Sequence, residues 1–470
     1  MRKIKTIVCI ILSVLAIITP ILSPFAVAAL VPSQYSETFV GILDEKVERL
    51  RSIDGPKAVV IGGSSVAFGI DSALMEEYLG MPVVNFGLYA AIGTRAMMEL
   101  SRSSIGNGDI IILAPELDRQ TLSMYFSADP TLKAIDGDYS LSLEFPEELK
   151  LSLIGGIWRH SYEKLADSAD GPDSPDGVYN SKNFNEYGDV VWERKENVMP
   201  LYYDPATEID LTSDIFEAEF IEYVNEYISF CESRGATVYF SYAPMNSLAV
   251  KDSSAVALSE FDSFVRESLD CEVISFIDSY VIEPGYFWDT NYHLNDAGVI
   301  YRTKTLIEDI LLTRVDITVP EAPPLPEADV RFDGEDANAK YFVYEKMENG
   351  ALMIAGLSEL GKAQNSLTVP LGADGYKITA IGADAFGGGV AKELIVTENT
   401  NLRNFLDNFI RGSSITDIKI YYDFTDENEK LAPASDFGGV TIHIPKGSIY
   451  PNHYDWNDSS GGFTFAEDLD

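Results

Sequence analysis

At 470 residues the chain is too long for one compact core, and its 46 % hydrophobic content rules against a disordered polymer. Asp and Glu number 74 against 34 Lys and Arg, for a net charge of −40. Such a surface repels phosphate backbones, so nucleic acid is excluded from the expected partners, and neutral or cationic ones fit better.

The chain opens with "MRKIK", three positive charges, followed by the uncharged run "TIVCIILSVLAIITPILSPFAVAALV". Residues 1–31 thus read as a signal sequence or a membrane anchor. Ala26-Val27-Ala28 is a cleavage site of the A-x-A kind, while the apolar run also reaches the ~20 residues needed to span a bilayer. Pro20 and Pro24 weaken a regular helix without forbidding one. Either way the remainder is expected to be exported, on the extracellular face, with the membrane as a partner of the N-terminal segment. Cys9 lies in the apolar run, and Cys231 and Cys271 fit a disulfide or two buried thiols. No Cys/His spacing of a metal site is present, and neither metal nor cofactor is expected.

Next comes "YSETFVGILDEKVERLRSI", amphipathic at helical spacing. Short apolar runs then alternate with helical stretches. "KAVVIGG" (57–63), "MPVVNFG" (81–87), "DIIILAPE" (109–116), "ATVYFSYAP" (236–244) and "CEVISFID" (271–278) read as buried strands. "SALMEEYL", "AMMELSRSS", "IFEAEFIEYVNEYISFCESR" and "DAGVIYRTKTLIEDILL" read as helices. Val/Ile-rich strands alternating with helices imply a parallel sheet covered on both faces, a doubly wound α/β domain over 35–315. Ligands of such a sheet sit at the carboxyl ends of its strands.

A long excursion, about 119–212, separates the third and fourth strands. Its segment "DSADGPDSPDGVYNSKN" is loop by composition, and an insertion at this edge is expected to shape a cleft or lid. Residues 316–335 hold the Pro-rich, acidic "DITVPEAPPLPEADV", an extended linker. Over 336–470 the pattern changes to short β-type runs and turns. "YKITAIGADAFGGGVAKELIVTEN" and "FIRGSSITDIKIYYD" are weakly related units, which suggests a few stacked repeats.

Four strand ends carry residues that could do chemistry. In "VVIGGSSVAFGI" a strand runs through Gly63 into Ser64, where a hydroxyl is exposed at a helix start beside backbone N–H groups. A Gly-rich turn with a serine cap is the plainer reading. In "VVNFGLYAAIG", Asn85 and Gly87 are donor types suited to an oxyanion, or simply turn residues. In "ILAPELD", Glu116 could contact substrate or merely finish a strand. In "YFWDTNYHLNDAG", His293 follows the last strand, four positions after Asp289. A histidine within reach of a serine and oriented by a carboxylate activates a hydroxyl. The plainer reading is a helix cap at Asn295 or Asp296, and both can hold at once. His160, His443 and His453 lie in the excursion or the C-terminal region.

The order of these motifs resembles that of the SGNH/GDSL hydrolase superfamily. "VIGGSSVAFGIDS", "VVNFGL" and "DTNYHLNDAG" together look like its exported bacterial branch, which is similar to polysaccharide and cell-wall O-acetyltransferases of the AlgX and DltD kind. The resemblance implies a flavodoxin-like SGNH fold with Ser64 as nucleophile, His293 as base and Asp289 as orienting acid. It also implies an oxyanion hole from the Ser64 amide, Gly87 and Asn85. Two departures stand out. Three residues separate Asp289 from His293 where the family has two, and "APELDR" stands near the place of the Gly-x-Asn-Asp block, so its Asn donor is missing unless Asn85 or Asn246 replaces it. "LTVPLGADGYKITAIGADAFGGG" and "VTIHIPKGSIYPNHYDW" look like BspA-type leucine-rich repeats, which implies a surface for glycan or protein. The function implied is an exported serine esterase or O-acyltransferase acting on a carbohydrate polymer or another acyl ester. The alternative is a catalytically degenerate scaffold that binds a surface glycan or protein.

Overall fold

The computed structural model describes residues 2–469 apart from 170, 176, 200–201, 324–329, 348–349, 398–401, 403, 406–408, 422–438 and 447–463. Part of the expected linker, the end of the last repeat-like segment and His453 lie outside the described residues. The chain divides into two compact units, Met1–Asn197 with Ile209–Pro323, and Val198–Glu208 with Pro324–Asp470. The division at Pro323 falls within the Pro-rich stretch. That the short piece Val198–Glu208 of the excursion joins the second unit has no sequence signal.

The first unit is α/β. Its strands are β1 (Ala58–Gly62), β2 (Val83–Gly87), β3 (Ile110–Leu113), β4 (Thr237–Phe240), the short β5 (Met245–Asn246), β6 (Glu272–Val273) and β7 (Val281–Ile282). One sheet runs β2-β1-β3-β4-β6 with every pair parallel, and β5 pairs with β7. This order, with the first strand moved inside the second, is compatible with a doubly wound fold. Apart from Ile110, which is partly exposed, the Val and Ile side chains of β1 and β3 are buried on both faces, so no polar alternation marks them.

Among the described residues, these α-helices accompany the strands: α1 (Arg2–Leu30), α2 (Leu43–Ser52), α3 (Ser64–Ala67), α4 (Ser72–Leu79), α5 (Thr94–Arg102), α6 (Ala128–Ala134), α7 (Glu147–Asp167), α8 (Ala218–Ser233), α9 (Ala255–Ser268) and α10 (Asp296–Leu311). Ala58, Val60 and Ile112 pack against Met75 of α4 and Leu306 and Ile307 of α10. Leu113 and Phe240 line one small cavity with Met98 of α5 and Phe220 and Val224 of α8. Caps fix the ends: Asp71 accepts from the Leu74 N–H at the start of α4, and Asn295 accepts from the Gly298 N–H at the start of α10. The fifth expected strand shortens to two residues. Beyond it Ser275 bonds to Ser241, Tyr280 and Asp309, and this side-chain network replaces the ladder.

The expected signal or anchor falls on α1. Most of its side chains before Ile18 lie outside the described residues, and among the described residues no helix is long and apolar enough to cross a membrane. Cys231 and Cys271 are free thiols.

The second unit is β-rich. Strands β8 (Phe342–Lys346) and β9 (Leu352–Leu357) are antiparallel. Strands β10 (Ser366–Thr368), β11 (Gly372–Ala373), β12 (Tyr376–Ile381), β13 (Glu393–Val396), β14 (Asn404–Phe405), β15 (Asp417–Ile420), β16 (Thr441–Pro445) and β17 (Thr464–Leu469) follow. β10, β13, β15, β16 and β17 form one parallel sheet, in chain order. Its register aligns Leu367, Leu394, Ile418 and Ile442, all buried, in one apolar ladder.

Candidate active site

β1 ends at Gly62, and Gly63 then turns the chain into α3, whose first residue is Ser64. Close approach demands the glycines here. A Cβ on Gly63 would stand 2.2 Å from Glu116 Oε2, and one on Gly87 would stand 2.3 Å from Val66 Cβ. The lead-in to α10 brings the other two groups. His293 Nε2 lies 2.8 Å from Ser64 Oγ, and His293 Nδ1 lies 2.8 Å from Asp289 Oδ1. An ionised carboxylate only accepts, so Nδ1 carries the ring hydrogen and Nε2 is left to accept from the Ser64 hydroxyl. Asp289 and His293 are buried while Ser64 is partly exposed, so the reacting atom faces outward from a fixed support.

The four-residue spacing works because the segment folds back on itself. Thr290 Oγ1 accepts from the N–H groups of Tyr292 (3.2 Å) and His293 (2.9 Å), and the Trp288 N–H donates to His293 O (2.9 Å). Tyr292 also donates to Leu117 O in the loop after β3 (3.1 Å). From α10, Arg302 Nη1 donates to Ser65 O (2.5 Å), and burial lowers the pKa of its guanidinium to about 10. Serine turn and histidine loop are thus tied through both α10 and the loop after β3.

The remaining expected residues have definite places. Glu116 is buried and its Oε1 accepts from the Ser65 N–H (2.6 Å). Burial raises its pKa, against the opposing Ser65 bond. It therefore supports the turn behind Ser64. Asn85 is buried, and its amide donates to Val66 O (2.9 Å) and Asp189 Oδ1 (2.8 Å). The Gly87 N–H donates to Asn85 Oδ1 (3.2 Å). The expectation that Asn85 would donate to an oxyanion is corrected by this geometry, since both its amide hydrogens are engaged inside. Asn246 is buried, its N–H donates to Asn291 O (3.0 Å) and its Oδ1 accepts from Leu248 (3.1 Å). It braces the histidine loop.

Sequence reasoning missed five contributors. Tyr179, from the excursion, donates to Asp289 Oδ2 at 2.5 Å. Phe68 stacks on His293 with centroids 4.0 Å apart, and Arg194 lies over the other ring at 5.1 Å from the Phe68 centroid. Asp189 holds Ser72 and Asn85, and the buried Lys46, its pKa lowered by burial to about 7, donates to Asn85 O (3.0 Å) and Gly188 O (2.6 Å). Of these, only Phe68 lies in a segment read for chemistry, "VVIGGSSVAFGI", and no role was expected of it there. Among the described residues no cluster of His, Cys, Asp and Glu could hold a metal ion.

No family model matches the chain, and neither does any curated protein or solved structure.

Proposed function

We propose that the chain is an exported serine-dependent esterase or O-acyltransferase of the SGNH type, acting on a cell-surface or extracellular carbohydrate polymer. The observation that carries this reading is the Ser64–His293–Asp289 relay, with both links at 2.8 Å. Ser64 Oγ attacks an acyl carbonyl as His293 Nε2 takes its proton. Asp289, held by Tyr179, keeps the ring oriented and stabilises the imidazolium. The Ser64 N–H is the first oxyanion donor. The Gly87 N–H becomes a second by giving up its 3.2 Å bond to Asn85. Collapse returns the proton to the leaving alkoxide and leaves an acyl-Ser64 ester. Water or a sugar hydroxyl, deprotonated by His293, then takes the acyl group. Hydrolysis and transfer use the same residues and differ in the acceptor.

A fluorophosphonate probe tests the nucleophile. It should label the parent, while folded Ser64→Ala shows no labelling and a loss of turnover on the order of 10⁶-fold. Equal labelling of Ser64→Ala would remove Ser64 from the reaction. Acetyl release measured with and without added glycan acceptor separates hydrolysis from transfer.

In this reading the parallel β sheet of the second unit is a BspA-type leucine-rich repeat array that holds a glycan or protein partner. One observation favours the second reading, a catalytically degenerate binding scaffold: the Gly87 N–H and the Asn85 amide are engaged internally. The direct Ser64–His293 contact weighs against it. Glycan binding that persists in Ser64→Ala/His293→Ala, with no probe labelling of the parent, would support the scaffold.

A further inference from the structure

Helix α7 buries His160, Ser161 and Lys164 beside Leu149, Leu153 and Ile157, and exposes a row of large apolar side chains. On the inward side His160 Nε2 meets the Tyr139 hydroxyl at 2.6 Å, and Lys164 Nζ pairs with Asp136 at 2.6 Å. Ser161 Oγ donates to Pro24 O (2.6 Å) and Lys164 Nζ to Ala28 O (2.9 Å), which ties α7 to the second half of α1. On the outward side Leu151, Ile154, Trp158, Tyr162 and Leu165 are exposed, Trp158 by 53 % and Tyr162 by 76 %. Their spacing makes a single stripe along the helix, ~20 Å long at 1.5 Å per residue. A helix facing water places polar residues there instead.

The stripe does not stand alone. On α1, Ile18, Ile21, Leu22 and Phe25 are exposed as well. The chain carries no charged residue from Thr6 to Ser36, after a start with three basic ones. Two helices bonded to each other thus present apolar side chains that water does not favour, and a contiguous patch of this kind marks an interaction surface.

We propose that the α7 stripe lies in the interfacial layer of a lipid bilayer beside α1, so that two helices hold the first unit against the membrane. Three observations choose lipid as the occupant. Helix α1, bonded to α7, exposes apolar side chains of its own, and its long uncharged run needs an apolar phase. Trp158 and Tyr162 are the residue types that settle where acyl chains meet headgroups. A second copy of the chain carries the same net charge of −40, which opposes pairing. An exposed apolar stripe on a helix whose other side packs against the protein suits a helix lying in the interface rather than crossing it.

The test uses the full chain reconstituted in phosphatidylcholine vesicles, with and without lipids brominated near the headgroup end of the acyl chain. The parent is compared with Trp158→Phe, a conservative change at an exposed position, and fold is checked by near-ultraviolet circular dichroism. The emission unique to the parent belongs to Trp158. It should shift to the blue in vesicles and fall at least about twofold with brominated lipid, as expected of a side chain at acyl depth. Equal quenching of parent and Trp158→Phe in vesicle-bound chain would overturn the proposal. So would a Trp158 signal already shifted to the blue in a lipid-free dimer, because a second copy would then cover the stripe. The readout is independent of catalysis and stands whether or not Ser64 is a nucleophile.

Discussion

Both units are built on parallel strands, yet their interiors differ in kind. In the first, Lys46, Asn85, Glu116, Asp189, Asp289, His293 and Arg302 are all buried, most of them around the carboxyl ends of β1, β2 and β3. In the second, among the described residues, every residue classed as buried is apolar, and the core is a ladder of Leu, Ile, Val and Phe. A buried polar group costs stability unless it is bonded, so a fold built for stability alone has little reason to gather so many. Near Ser64 one of those groups also has an atom without a hydrogen-bond partner, Arg302 Nη2. The first interior carries buried polar groups around the relay and also elsewhere, as at Arg95 and His160. The second is organised for stacking alone.

The sharpest way to break this contrast is to spoil the relay without touching its packing. Asp289→Asn keeps the shape of the side chain and its place beside Tyr179, but presents an amide to Nδ1. The wrong ring tautomer should then dominate, with a rate loss of about 10⁴-fold if the site works as a serine triad. Asp296→Asn is the control. Asp296 is half exposed and accepts from the Arg194 N–H at 3.1 Å, away from the relay, so turnover should change little. Steady-state rates on an activated acyl ester read both variants. Parent-like turnover in Asp289→Asn would reduce the site to a Ser64–His293 dyad.

In the second unit the same contrast predicts a change in stability and none in chemistry. Leu394 is fully buried at the centre of the ladder, paired with Leu367 and Ile418. Leu394→Ala should cost about 2–5 kcal/mol of that unit's stability, read as a lower midpoint in urea. Probe labelling at Ser64 in the absence of denaturant should keep its rate. A fall in labelling rate that follows Leu394→Ala would mean that the two interiors are coupled.

How far these differences were legible follows from chain distance. Ser64, Asn85, Gly87 and Glu116 were legible because each lies at the end of a Val/Ile-rich run, where a parallel sheet gathers its strand ends. His293 was legible by its place after the last such run. The orders of helices α4, α8 and α10 were legible from apolar spacing. Tyr179 was not, because it reaches Asp289 from 110 positions away through a segment that reads only as loop. Helix α7 was not legible either: apolar residues on both its sides, with Gly155 and Gly156 in the middle, leave no clear period. Helix α9 also went unread, although its Leu258, Phe261 and Val265 recur at helical spacing. The turn at Thr290 was legible as a possibility, but only the bonds to Thr290 Oγ1 explain why a four-residue spacing suffices.

The smallest effect concerns Glu116, where the first interior keeps a carboxyl group almost out of water. Burial raises its pKa above the ordinary 4.5, so the folded chain holds this proton more tightly than the unfolded one. The sign follows. Stability from this group is fully present below about pH 4.5 and is lost as pH rises through the folded value. Glu116→Gln keeps an oxygen to accept the Ser65 N–H and cannot ionise. Below that range the two proteins should therefore melt alike, and the variant should become progressively the more stable one as pH rises toward neutrality. Thermal unfolding of the first unit, followed at several pH values, reads the difference. A gap between the proteins that stays constant with pH would mean that Glu116 ionises as freely inside the fold as outside it. The carboxyl behind Ser64 would then belong to a wetter site than its burial implies.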